Sequence, residues 1–115
     1  MNRADPRYRE AVRLVRKDPL SQWCFVTGGE IPQGGGDPHH VLPVSLFPEH
    51  AYNTRNIVIV NREPHHILTI GDPQELSKLP RINNLLARMG ELDYDYYKHF
   101  YEKLTPWMNL HNGWD

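Results

Sequence analysis

Two adjacent histidine pairs, His39-His40 and His65-His66, hold four of the seven histidines in this chain of 115 residues, and they sit in different settings. His39-His40 opens the stretch His39-His40-Val41-Leu42-Pro43, which reads as a strand running from His39 to Val44. His65-His66 lies in the segment Pro64 to Ile70, which reads as a short helix begun by a proline and ended by Gly71. An imidazole with an ordinary pKa of about 6.5 is mostly neutral at pH 7, and only the neutral ring can bind a cation or take a proton from water. Successive strand residues face opposite ways, so His39 and His40 have different tasks unless the strand ends or bends there. These residue types suit a hydrolysis in which one ring helps to hold a divalent ion and another activates water.

Several elements must position the two pairs. Asn56-Ile57-Val58-Ile59-Val60-Asn61 is the strongest strand signal, filled with β-branched residues, and its expected partner is the His40 strand. Upstream, Asp5-Pro6 reads as an N-cap followed by a first-turn proline, and Tyr8, Ala11, Val12 and Val15 recur at helical spacing until Asp18-Pro19 stops the helix. Gln22 to Thr27, with Trp23, Phe25 and Val26, reads as a short strand entering a turn at Gly28-Gly29. Gly34-Gly35-Gly36-Asp37-Pro38 is a flexible connector into the first histidine pair; without the lysine and hydroxyl residue of a P-loop it is no phosphate cradle. Downstream, Asp72-Pro73-Gln74-Glu75 starts a helix, Pro80 starts another that Gly90 closes, and a third carries Tyr94, Tyr97, Phe100, Tyr101 and Leu104 along one stripe. That stripe is mainly core, with a homodimer or protein-partner surface as the alternative.

The histidine pair, the asparagine strand and the helix histidine together resemble the HNH nucleases, also called ββα-metal nucleases. The likeness covers residues about 24–70: Cys24-Phe25-Val26-Thr27-Gly28 is similar to that family's opening hairpin, His39-His40-Val41-Leu42-Pro43 to its catalytic strand, and Asn56-Ile57-Val58-Ile59-Val60 to its asparagine strand. His65 follows Asn56 by nine residues, the family's common interval, which favours it over His66. The resemblance implies an α+β domain with a small ββα-metal centre flanked by N-terminal and C-terminal helices. It implies His39 and His65 as metal ligands, His40 as general base and Asn56 as the residue that orients it. The implied activity is hydrolysis of DNA phosphodiester bonds to a 5′-phosphate and a 3′-hydroxyl. The implied cofactor is a divalent ion, magnesium first, with manganese, nickel or zinc as alternatives. General-base assistance of this kind contributes about 10²–10⁴-fold, and the ion contributes roughly several kcal/mol of charge stabilisation.

Departures from the family pattern narrow these expectations. Where many relatives carry a second cysteine pair for a structural zinc, this chain has Asn61 and Pro64, so no structural zinc is expected. Four residues beyond His65, where some relatives add a ligand, stands Thr69; water, a DNA phosphate or Asp72 is left to complete the shell. His66 reads as a helix-face residue or phosphate contact, and His50, His99 and His111 as surface or local hydrogen-bonding residues.

Bulk properties bound the rest. The length suits a single domain, and hydrophobic (39%) and charged (23%) fractions near globular averages argue against disorder. No apolar run approaches a membrane span and no secretory signal opens the chain, so a cytoplasmic protein, in a bacterium or a phage-infected host, is expected. The single cysteine, Cys24, reads as buried rather than reactive. A net charge of -1 gives no global attraction to nucleic acid, but Arg3, Arg7, Arg9, Arg13, Arg16 and Lys17 cluster early and form a local basic face. The net acidity, the missing cysteine pairs and the weak third ligand motivate a rival reading: a non-catalytic HNH-like binding or assembly module, or a protein-directed inhibitor.

Overall fold

A computed structural model describes the backbone of residues 1–111 and the side chains of residues 1–108. Among the described residues the chain forms a small compact α+β domain, with five α-helices around one two-stranded antiparallel sheet.

The first helix, α1 (Pro6–Lys17), starts where its local chemistry dictates. The Asp5 carboxylate accepts from the Arg7 amide, Pro6 occupies the first turn, and Arg16 and Lys17 meet the negative end of the helix dipole. Tyr8 and Ala11 are buried, with Val12 and Val15 beside them, and this stripe packs on Ile57. The helix stops at Lys17 because Asp18 turns extended and caps the short 3-10 turn Pro19–Gln22.

The two strands are shorter than their sequence patterns suggest. Strand β1 covers Asp37–His40 and β2 covers Ile57–Val60, paired so that His39 lies opposite Val58 and His40 opposite Ile57. The expected extension of β1 to Val44 does not form: Val41 bonds the Asn56 carbonyl, and the Leu42 amide is claimed by the Asn56 side chain. Asn56 itself closes a 3-10 turn, Thr54–Asn56, instead of starting the strand. All four residues of β2 are buried on both faces, which explains why its run is apolar rather than alternating.

The expected strand over Gln22 to Thr27 reduces to a single antiparallel bridge between Trp23 and Glu30. Cys24 donates to the Gly29 carbonyl and accepts from Gly28, so a tight turn consumes the groups that a longer strand needs. One further bond, from the Phe25 amide to the Ile59 carbonyl, ties this turn to β2. Cys24 is buried, and the Asn61 amide lies 3.4 Å from its Sγ.

Helix α2 (Arg62–Ile70) follows β2 after one residue, with Pro64 buried in its first turn and Gly71 ending it in the left-handed conformation. Then come α3 (Pro73–Ser77), α4 (Ile82–Leu92) and α5 (Tyr94–His111). Helix α4 passes through Gly90, where it was expected to close, because Tyr97 packs over that glycine and the chain turns only at Asp93. Helix α5 likewise runs beyond Leu104, through Pro106. Its stripe is mostly core: Leu104 is buried, Tyr96, Tyr97 and Phe100 pack on the core, and Tyr94 and Tyr101 stay exposed. Among the described residues no helix is long and apolar enough to cross a membrane.

The glycine connector before β1 is held in place. Arg16 donates to the carbonyls of Gly35 (2.6 Å) and Gly36 (3.0 Å). Gly36 has φ +77°, and a Cβ there would stand 2.7 Å from the Ile59 side chain. Gly36→Ala therefore combines a strained backbone with a clash at the start of the histidine strand. We expect a loss of about 1–3 kcal/mol in urea unfolding, whereas Gly34→Ala, with open space around it, should lose only the backbone strain.

Candidate metal and hydrolytic centre

The antiparallel pairing places the first histidine pair at the end of β1, and α2 returns beside it. The ring centroids of His39 and His65 are 5.5 Å apart in an edge-to-face arrangement. An ion about 2.1 Å from a ligating nitrogen stands about 3.2 Å from that ring's centroid, so two rings at this spacing are within reach of one ion. Burial pushes the His39 pKa down to about 4, helped by the neighbouring rings of His65 and His40, so His39 is neutral over the physiological range.

His65 is oriented by a residue that the sequence reading did not single out. Its Nδ1 lies 3.1 Å from Asp37 Oδ2, while Arg62 stands 3.6 Å from the other carboxylate oxygen. An ionised carboxylate only accepts, so Nδ1 of the neutral ring carries the proton and Nε2 keeps the lone pair a cation requires. The signal for Asp37 was present: it stands two residues before His39, hence on the same face of the strand. Asp72 does not take part here; it caps α3 by accepting from Gln74. Thr69 spends its hydroxyl on the His65 carbonyl at 2.9 Å.

His40 is the last residue of β1, and with the strand ending there both members of the pair border one cleft of about 370 Å³, together with Arg3, Tyr8 and His65. His40 Nε2 lies 3.0 Å from the Ala51 carbonyl oxygen. A carbonyl only accepts, so Nε2 must carry the proton and Nδ1 of the neutral ring is left as a free base. The Tyr8 ring lies beside the imidazole, with centroids 5.6 Å apart.

The Asn56 side chain hydrogen-bonds to backbone near His40 and not to the His40 ring. Its buried amide accepts from the Leu42 amide (2.7 Å) and donates to the carbonyls of Leu42 (3.1 Å) and His50 (3.2 Å). It thereby clamps both ends of the 42–50 loop, whose next residue, Ala51, holds His40. Asn56 is thus linked to the His40 ring through the backbone. Tyr52 adds a second tie, donating to Asp5 at the start of α1.

The remaining histidines lie elsewhere. His66 and His99 are exposed, and His50 pairs locally with Asn53 (3.0 Å). The His111 side chain is outside the described residues. The early basic cluster is partly neutralised, since Arg7 pairs with Asp5, Arg13 with Glu10, and Arg16 holds the glycine connector. Arg3 is the member that borders the histidine cleft.

Among the described residues, no three His, Cys, Asp or Glu side chains are grouped as a ready-made metal cage. Comparison of the chain with known protein families, with curated proteins and with solved structures finds no match.

Two outcomes follow from this geometry. Asn56→Ala leaves the backbone N–H and C=O of buried Leu42 without partners and removes one of the two donors to the His50 carbonyl, so unfolding in urea should show a loss of about 1–3 kcal/mol. The depressed pKa of His39 means that the unfolded chain binds a proton between about pH 6.5 and about pH 4 that the folded chain refuses, so stability falls as pH drops through that window. Between about pH 7.5 and about pH 5, without added metal, the wild type should lose about 2 kcal/mol more than His39→Gln.

Proposed function

We propose that the chain is a divalent-metal-dependent endonuclease of the HNH type, hydrolysing DNA phosphodiester bonds with His40 as general base. One juxtaposition carries this reading: His39 and His65, from β1 and α2, face each other at 5.5 Å, while the neighbouring His40 has its Nε2 engaged by Ala51 and its Nδ1 free. Two antiparallel strands followed after one residue by a helix support the ββα arrangement that the sequence resemblance implies.

In this mechanism His39 and His65 Nε2 would hold the ion, with Asp37 fixing the His65 ring. When bound, the ion would offset negative charge growing on the phosphate oxygens. Two imidazole donors suit manganese, nickel or zinc better than magnesium, which prefers oxygen ligands. His40 Nδ1 takes the proton of the attacking water. The Ala51 carbonyl keeps accepting from Nε2 as the ring becomes cationic, so the base does not swing away on protonation. Water forms the new bond to phosphorus, and the bond from phosphorus to the 3′ oxygen breaks; that oxygen takes a proton from solvent, leaving a 5′-phosphate and a 3′-hydroxyl.

Supercoiled plasmid incubated with manganese, nickel, zinc or magnesium tests this directly. We expect conversion to nicked or linear forms by the wild type, and rates lower by about 10²–10⁴-fold for His40→Ala. Absence of cleavage by wild type in every ion would overturn the enzyme reading and leave a binding or assembly module built on the same scaffold.

A further inference from the structure

Tyr8 stands out among the groups that the hydrolytic scheme leaves unused. It is only 6% exposed, yet it borders the histidine cleft, and among the described residues its hydroxyl has no hydrogen-bond partner. Among the described residues no side-chain oxygen is both sealed from solvent and unpartnered, so this hydroxyl keeps contact with open space although the ring around it is packed. Burial raises the Tyr8 pKa and keeps the phenol protonated, hence a donor, despite the nearby positive charges of Arg3 and Arg16. Arg16 is committed to the Gly35 and Gly36 carbonyls, whereas Arg3 borders the cleft and enters no ion pair among the described residues.

A neutral donor, a guanidinium and imidazoles lining one cleft form a complementary setting for a phosphate oxygen. The α1 packing that buries Tyr8 also holds its ring 5.6 Å from the His40 ring, centroid to centroid, and both residues line the same cleft.

We propose that Tyr8 is a substrate-contacting residue, donating its hydroxyl hydrogen to a non-bridging oxygen of the phosphodiester in the cleft, with Arg3 supplying the charge that draws the phosphate in. The substrate named here rests on the nuclease reading, but the phosphate contact does not require cleavage to be observed.

The test uses Tyr8→Phe and Arg3→Gln in two assays: plasmid cleavage in manganese, and fluorescence-anisotropy binding of a short labelled DNA duplex in EDTA. Tyr8→Phe keeps the ring that packs on Ala11 and Ile57, so its unfolding midpoint should match the wild type. Its kcat/KM and its duplex affinity should each fall about tenfold or more, the effect of losing a hydrogen bond to a charged acceptor. Arg3→Gln should weaken duplex binding and lower the slope of log affinity against log salt by about one. Wild-type rates and affinities in a folded Tyr8→Phe would overturn the proposal. Should the wild type cleave nothing, the nuclease reading fails, and the binding assay alone decides the Tyr8 contact. Should Tyr8→Phe unfold, titration of wild type with inorganic phosphate decides by NMR: joint shifts of the Tyr8 and His40 ring signals support the contact, and their absence overturns it.

Discussion

The buried side chain of Asn56 is the constraint on which the centre depends. An amide can replace one residue of a β-ladder, and here it does so by bonding both the N–H and the C=O of Leu42. A third bond reaches the His50 carbonyl, so a loop of turns and prolines leaves and returns at fixed points. Because the amide is fully buried, water cannot compensate for any bond it fails to make, which gives the clamp its strength. Ala51 follows directly, and its carbonyl settles which nitrogen of His40 holds the proton. One buried amide thus reaches the His40 ring through backbone alone.

The division of labour between adjacent histidines follows from where the strand stops. Inside a continuing strand, His39 and His40 would be separated by the sheet. Ending β1 at His40 lets both rings border one cleft while they keep different neighbours: His65 for one, Tyr8 and Ala51 for the other. Burial deepens the contrast by holding His39 neutral down to about pH 4. The charge around the cleft is local, with Arg62 tied to Asp37 and Arg3 lining the cleft, in a chain whose overall balance is -1.

Helix α1 has an architectural part in this arrangement. Tyr52 donates to the Asp5 cap, and Arg7 lies over the Tyr52 ring at 4.6 Å, so the start of the helix is fastened to the loop that carries Ala51. At its other end Arg16 secures the glycine connector that feeds β1. The helix therefore supports His40 from both directions in sequence, and its Tyr8 forms part of the cleft wall.

Local chemistry was sufficient to read several elements from the residues. Asp5-Pro6 and Asp18-Pro19 bound α1 because caps and proline act within a turn, and the β-branched run at residues 57–60 had no better use than a strand. The spacing of His39, His40, Asn56 and His65 likewise marked a single neighbourhood, though not the contacts within it. Only the tertiary structure decided that Asn56 grips backbone instead of a ring, that Asp37 orients His65, that residues 22–27 form one bridge instead of a strand, and that α4 continues past Gly90. Two of those outcomes depend on a partner distant in sequence, Leu42 for Asn56 and His65 for Asp37, and the other two on contacts across a nearby turn, Gly29 for Cys24 and Tyr97 for Gly90. Propensity and spacing describe what a residue can do, whereas a hydrogen bond between remote segments exists only once packing has brought donor and acceptor together.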